Sequence, residues 1–231
     1  MKKIIALCLA LLCVFSLFGC GGNLPEDSVL IAEAEVLLKK SLVFNQLFFE
    51  QGISQKADGL VDGDYKEADT AALSALGFVK LSDIKASMHT VFSDAATEDF
   101  FRYAVDKRTN GTTLLKPAYC YDYYKTNEQN PDDKVFMCIM VSNQGVHQQT
   151  DPFTYDYSTL EVVKDKKEAT SATLKITATI TDSETGMVQT RQVTFRLVLE
   201  EEGWQLDNLT CLSYKEQQNQ LEGLDEILKK D

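Results

Sequence analysis

The sequence predicts an α+β fold: helices at the front of the chain, packed on one face of a curved antiparallel sheet behind them. Three observations predict it. Apolar residues recur at helical spacing from Ser28 to Gln51 and again in two shorter runs that end at about Ala104. After Asn110-Gly111 the period changes to two. The stretch 171–182 then alternates without error, with Ala172, Leu174, Ile176, Ala178 and Ile180 on one face and Thr173, Lys175, Thr177, Thr179 and Thr181 on the other. A strand with one dry face and one wet face is the habit of antiparallel sheets.

Taken in order, the first element is a long helix from Ser28 to Gln51. Pro25 with Asp27 or Ser28 supplies its start and Gly52 its stop. Leu30, Ala34, Leu37, Phe44 and Phe48 form its apolar face, with Val29, Val36 and Val43 alongside. Glu33, Lys40 and Asn45 leave only a narrow solvated stripe, so the helix should be wrapped on most sides. Residues 53–68 read as a solvated loop leading into a short strand. Its acids, Asp58, Asp62 and Asp64, fail the calcium-loop pattern, because Leu60 takes a ligand position and no glutamate closes the loop. Two shorter helices follow. Ser82 can cap the first, with Ile84, Met88, Val91 and Phe92 on one face. Thr97 or Asp94 starts the second, with Phe100, Phe101 and Ala104 inward.

Strands are expected at 113–125, 134–142, 155–164, 171–182, 187–200 and 203–213. Phe136 to Val141 is apolar on both faces and should be covered on both sides. Asp182-Ser183-Glu184-Thr185-Gly186 turns one strand into the next, where Val193, Phe195, Leu197 and Leu199 alternate. From Lys215 the chain reads as a polar helix or tail with Leu221, Leu224 and Leu228 on a thin stripe, weakened by Gly223.

The closing segment carries a resemblance. Val193-Thr194-Phe195-Arg196-Leu197-Val198-Leu199, then Glu202-Gly203-Trp204-Gln205-Leu206, is similar to the last hairpin of the cystatin-like cone shared with the nuclear transport factor 2-like superfamily. Gly203 permits the turn, and Trp204 and Leu206 return to one face as an apolar cap. That resemblance implies a long first helix embraced by a bent sheet. A narrower one spans roughly residues 60 to 210. Ala75-Leu76-Gly77-Phe78-Val79-Lys80-Leu81-Ser82-Asp83-Ile84-Lys85, followed by Val91-Phe92-Ser93, resembles a segment in secreted inhibitors of cell-wall D,L-endopeptidases and in related lipoproteins. It implies a cystatin-like domain that restrains peptidoglycan hydrolases, and no inhibitory residue carries over.

The first twenty residues are of another kind. Lys2 and Lys3 precede an apolar run from Ile4 to Phe18, closed by Gly19 and Cys20. A basic start, a brief apolar stretch and a small residue before the cut form a secretory signal. Leu17-Phe18-Gly19-Cys20 resembles the lipobox of bacterial lipoproteins, with Phe18 where a smaller residue is usual. The resemblance implies cleavage after Gly19 and a diacylglyceryl thioether on Cys20. Two acyl chains, if their free energies add, give a partition constant on the order of 10⁸ M⁻¹, a stable anchor. The expected organisation is a signal peptide at 1–19, a lipidated cysteine and short tether at 20–27, one cone domain at 28–213, and a polar helix or tail at 214–231. The expected location is the outer face of a bacterial cell membrane.

The net charge is −12, and more negative once Lys2 and Lys3 are cut away. Nucleic acid is excluded as a partner on this balance, because phosphate binding needs basic clusters. A basic protein partner or a cationic ligand is the complement. Of six cysteines, Cys8 and Cys13 fall in the signal and Cys20 is given to lipid. Cys120, Cys138 and Cys211 remain in apolar settings; a disulfide, if one forms, joins Cys120 with Cys138. No pair has zinc spacing, so neither metal nor cofactor is expected.

Only His89 and His147 offer imidazole chemistry, and no Gly-x-Ser-x-Gly elbow is present. An enzyme is therefore not the expectation. The densest cluster is Tyr119-Cys120-Tyr121-Asp122-Tyr123-Tyr124. On a strand, Tyr119, Tyr121 and Tyr123 share one face, with Cys120, Asp122 and Tyr124 on the other. Three tyrosines suit a binding face; they equally suit a sheet surface braced by cross-strand aromatic pairs. Two functions follow: a lipid-anchored binding domain that modulates a cell-wall hydrolase, or a small-ligand lipoprotein with a tyrosine-lined cone pocket.

Overall fold

A computed structural model describes residues 24–104, 119–127, 129–142, 151–208 and 210–212. The expected signal, Cys20, the His147 loop and the C-terminal stretch from 214 lie outside the described residues. The chain folds as α+β, with two short strands set among the helices and the longer antiparallel strands after them. The order is α1 (Asp27–Asn45), a π-helical turn (Gln46–Glu50), β1 (Val61–Asp62), β2 (Tyr65–Glu67), α2 (Thr70–Ala75), α3 (Leu81–His89), α4 (Asp94–Ala104), β3 (Tyr119–Asn127), β4 (Asn130–Ser142), β5 (Phe153–Lys167), β6 (Ser171–Thr181), β7 (Val188–Glu200) and β8 (Gly203–Leu206). Among the described residues no helix is long and apolar enough to cross a membrane.

The strands form two four-stranded sheets, β1-β2-β4-β3 and β5-β6-β7-β8, rather than one continuous curved sheet. In the first sheet β4 is flanked on both sides: β3 pairs along one edge, and β2, from the 53–68 segment, pairs with Met140 and Val141 on the other. In the second sheet the alternation of β6 is obeyed: Ala172, Leu174, Ile176, Ala178 and Ile180 are all buried. Each buried leucine or isoleucine there stabilises the fold by about 1.5–3 kcal/mol. β7 follows with Phe195 and Leu197 inward, while Leu199 is exposed at the strand's end. Gly203, at φ +119°, makes the turn into β8. The remaining edge of β8 is covered by Val91–Ser93, through Leu206 N–H to the Val91 carbonyl at 2.9 Å and Ser93 N–H to the Leu206 carbonyl at 2.8 Å.

Helix α1 lies against β5 and β8. Leu30, Ala34, Leu37, Leu38 and Phe44 enter a core shared with α3, α4 and both sheets. The α-helix ends at Asn45 instead of running to Gln51; the π turn rotates the chain so that consecutive Leu47 and Phe48 both bury. Asn45 is buried, not part of a solvated stripe. Its Nδ2 donates to Thr210 Oγ1 (3.2 Å), whose hydroxyl donates to Ser41 Oγ (2.7 Å). Val29 and Val36, in contrast, are 39% and 48% exposed, so the outer face of α1 is partly apolar.

The helix starts also differ in detail. Helix α2 is an addition to the expected set, capped by Asp69, which accepts from the N–H groups of Ala71 and Ala72. Helix α3 begins at Leu81 rather than after Ser82; Asp83 reaches back to accept from Val79 and Lys80 N–H, both at 2.8 Å. Helix α4 begins at Asp94, one of its two expected starts, and buried Ser93 caps it by accepting from Ala96 N–H at 3.1 Å.

Candidate functional site

The tyrosine strand is β3, and its register on β4 sorts its side chains. Tyr121 lies opposite Met140 and Tyr123 opposite Cys138, whereas Cys120 lies opposite Val141. Cys120, Ile139 and Val141 belong to the main core. Cys138 and Met140, with Tyr65 from β2, form a second, smaller cluster against which Tyr121 and Tyr123 pack. Since neighbours along a strand point to opposite faces, the tyrosines stand on the side turned away from the main core. Cys120 and Cys138 consequently point to opposite sides of the sheet, and no disulfide joins them.

This outer face is braced. The Tyr65 and Tyr121 rings meet edge to face at 4.9 Å, and the Tyr121 hydroxyl donates to Asp62 Oδ2 at 2.6 Å. The loop that looked like a failed calcium site therefore supplies a hydrogen-bond partner for a tyrosine. Beside it, Lys56 Nζ contacts Glu67 Oε1 at 2.8 Å, and Leu60 N–H donates to Glu67 Oε2 at 3.1 Å. The Lys56 contact first, and the Leu60 N–H second, hold the Glu67 carboxyl below the usual range. Burial pushes the Cys138 thiol up, leaving it a small apolar filler beneath the tyrosines. Tyr121 and Tyr123 are half-buried, each with a buried flank and part of its surface in solvent. Such residues offer a large contact area with little side-chain freedom left to lose on binding.

Tyr119 pairs with Ser142 along the backbone; its side chain lies outside the described residues. Tyr124 follows a register shift after Tyr123 and stacks edge to face on Phe136 at 5.8 Å, near the hairpin end where Val135 and Met137 are exposed. The coverage expected on both sides of Phe136–Val141 thus begins only at Cys138. Asp122 points the other way and accepts from Leu81 N–H at 3.2 Å, fixing the start of α3 to the sheet. Partial burial pushes its carboxyl up, against the Leu81 N–H and Lys80, which hold it down. Burial pushes the Cys120 thiol up to about 12.

His89 closes α3. Its Nδ1 lies 2.7 Å from Asp94 Oδ1 at the start of α4, so it fastens two helices together. A second aromatic row, Phe153, Tyr155 and Tyr157, lies on β5; Tyr155 and Tyr157 pack against the main core, and Lys39 of α1 sits 4.9 Å over the Tyr157 ring. Burial raises the Tyr155 hydroxyl's pKa, and that hydroxyl donates to the Thr210 carbonyl at 2.8 Å.

Sequence reasoning missed Asp62, Tyr65 and Met140 as parts of the tyrosine face. Only the two-sided apolar run of β4 from Phe136 to Val141 hinted at them, because β2 is three residues long and pairs across more than seventy positions. No known protein family and no curated protein matches this chain.

Proposed function

We propose that this chain is a lipid-anchored extracytoplasmic binding domain that engages a cell-wall hydrolase through the outer face of its first sheet. The observation that carries the reading is the pair Tyr121 and Tyr123, half-buried against Cys138 and Met140 on a face turned away from the main core, with Tyr121 pre-ordered by Tyr65 and Asp62. Aromatic side chains held in place this way are the usual anchors of a protein interface. The anchor rests on Leu17-Phe18-Gly19-Cys20, and the choice of hydrolase on the resemblance of 75–85 and 91–93 to D,L-endopeptidase inhibitors. The acidic balance of the chain adds long-range attraction for a basic partner. A tyrosine-lined interior pocket fits less well, because Tyr121 and Tyr123 do not face the space between α1 and the sheets.

The test is a cleavage assay with a purified D,L-endopeptidase and isolated cell wall. Added full-length protein should slow cleavage, and Tyr121→Ala with Tyr123→Ala should relieve the effect. Mass spectrometry of the N-terminal peptide tests the anchor; an unmodified Cys20, or an intact Met1 start, removes it.

A further inference from the structure

We propose that a second copy of this chain docks on the outer face of α1, the two helices running antiparallel about a two-fold axis at Val36. Four observations on that face carry the inference. Val29, Ala32 and Val36 are exposed at spacings of three and four, and half-buried Val43 continues the line one heptad on. That is the spacing of a helix–helix seam, left uncovered among the described residues along a helix whose opposite face is buried. Glu33 and Lys40, both exposed, lie on the same edge of the seam, one heptad apart. Their signs make the face complementary to itself.

The geometry follows from the symmetry. A two-fold axis at Val36 sets Val36 against its own copy and Val29 against Val43 of the other molecule. In an antiparallel pair, like edges meet, so Glu33 comes beside Lys40 of the second copy, and the axis makes this contact twice. A parallel pair would instead bring Lys39 beside its own copy within the seam. In the antiparallel arrangement Lys39, already engaged by Glu35 and the Tyr157 ring, comes level with Ala32 of the second copy rather than with its own copy, and lays its stem along it. A single helix seam is small beside the roughly 800 Å² per partner of a stable interface. The association is therefore weak in dilute solution and grows where copies are concentrated.

Cross-linking of the full chain tests this. Val36→Cys places one thiol at the axis, to be joined by a short bis-maleimide, with the unsubstituted chain as the background. A dimer that requires the introduced thiol is expected. Glu33→Lys or Lys40→Glu alone should lower its yield about tenfold, since two symmetric attractions become repulsions. Mixing the two charge variants under different tags should restore the dimer as a mixed species, because every contact is again between opposite charges. Absence of any dimer above the background of the unsubstituted chain overturns the proposal. So does a yield indifferent to either charge variant, or a mixture that fails to recover. If the introduced thiol is instead shielded from a water-soluble maleimide only when phospholipid vesicles are added, the face meets a bilayer. If it is shielded in the monomer, another part of the chain covers it. Either result also overturns the dimer.

Discussion

The Tyr121 hydroxyl donates to Asp62 Oδ2 at 2.6 Å, joining two residues 59 positions apart and tying the tyrosine strand to β1. This bond, with the Tyr65 ring at 4.9 Å, holds Tyr121 in one orientation on a partly exposed surface. Tyr121→Phe keeps the ring contacts and removes the bond. It should cost about 1 kcal/mol, which for a domain of this size lowers Tm by roughly 2–4 °C. Thermal denaturation of the pair of proteins measures it. Tyr121→Ala should lose distinctly more, because the ring contact goes as well.

A second prediction concerns the buried polar chain Asn45–Thr210–Ser41. Thr210→Val fills the same space and strands the Asn45 amide without its acceptor. A buried donor left unmet costs about 1–3 kcal/mol. Thr210→Ser should retain most of the stability. Equal losses in the two variants, in urea titrations, would show that the hydroxyl chain contributes nothing.

The two faces of β6 should respond very differently. Leu174 is fully buried, so Leu174→Ala should destabilise by about 2–5 kcal/mol. Thr179, on the opposite face beside Thr190, should tolerate alanine within about 0.5 kcal/mol. Urea unfolding of both variants checks the pattern.

Cys120 gives the pH dependence. Burial first, and the Asp122 charge second, push its thiol from an ordinary 9.0 up to about 12. The folded state thus holds this proton longer than the unfolded chain does. Its contribution is complete below pH 9 and is lost as pH rises from about 9 to about 12, so stability should decline through that window. A Cys120→Ala variant should show a shallower decline between about pH 9 and about pH 11. In the native protein Cys120 should also resist thiol reagents at about pH 8 and react on unfolding.

The parts legible in the sequence are those whose cause is local. The alternation of 171–182 sets the dry face of β6 by itself, and Leu30, Ala34, Leu37 and Phe44 mark the core side of α1. The tyrosine alternation places Tyr121 and Tyr123 on one face for the same reason. What was not legible depends on distant partners. Two residues of β2 pair with Val141 and Met140, more than seventy positions away, and so bring β1 and β2 into the sheet of the tyrosine strand. Asn45 looks like a surface residue until Thr210 arrives from the far end of the chain. Capping by Asp83 from within its own helix, in place of Ser82 at the boundary, is a local choice between two adequate signals.

The most direct test of the proposed function is the rate at which a D,L-endopeptidase cleaves cell wall with and without this protein at saturating concentration. Slower cleavage is expected with the natural chain and a near-full rate with Tyr121→Ala and Tyr123→Ala together, in a variant whose circular dichroism stays native. An unchanged rate with the natural chain, or equal inhibition by the folded double variant, would contradict it.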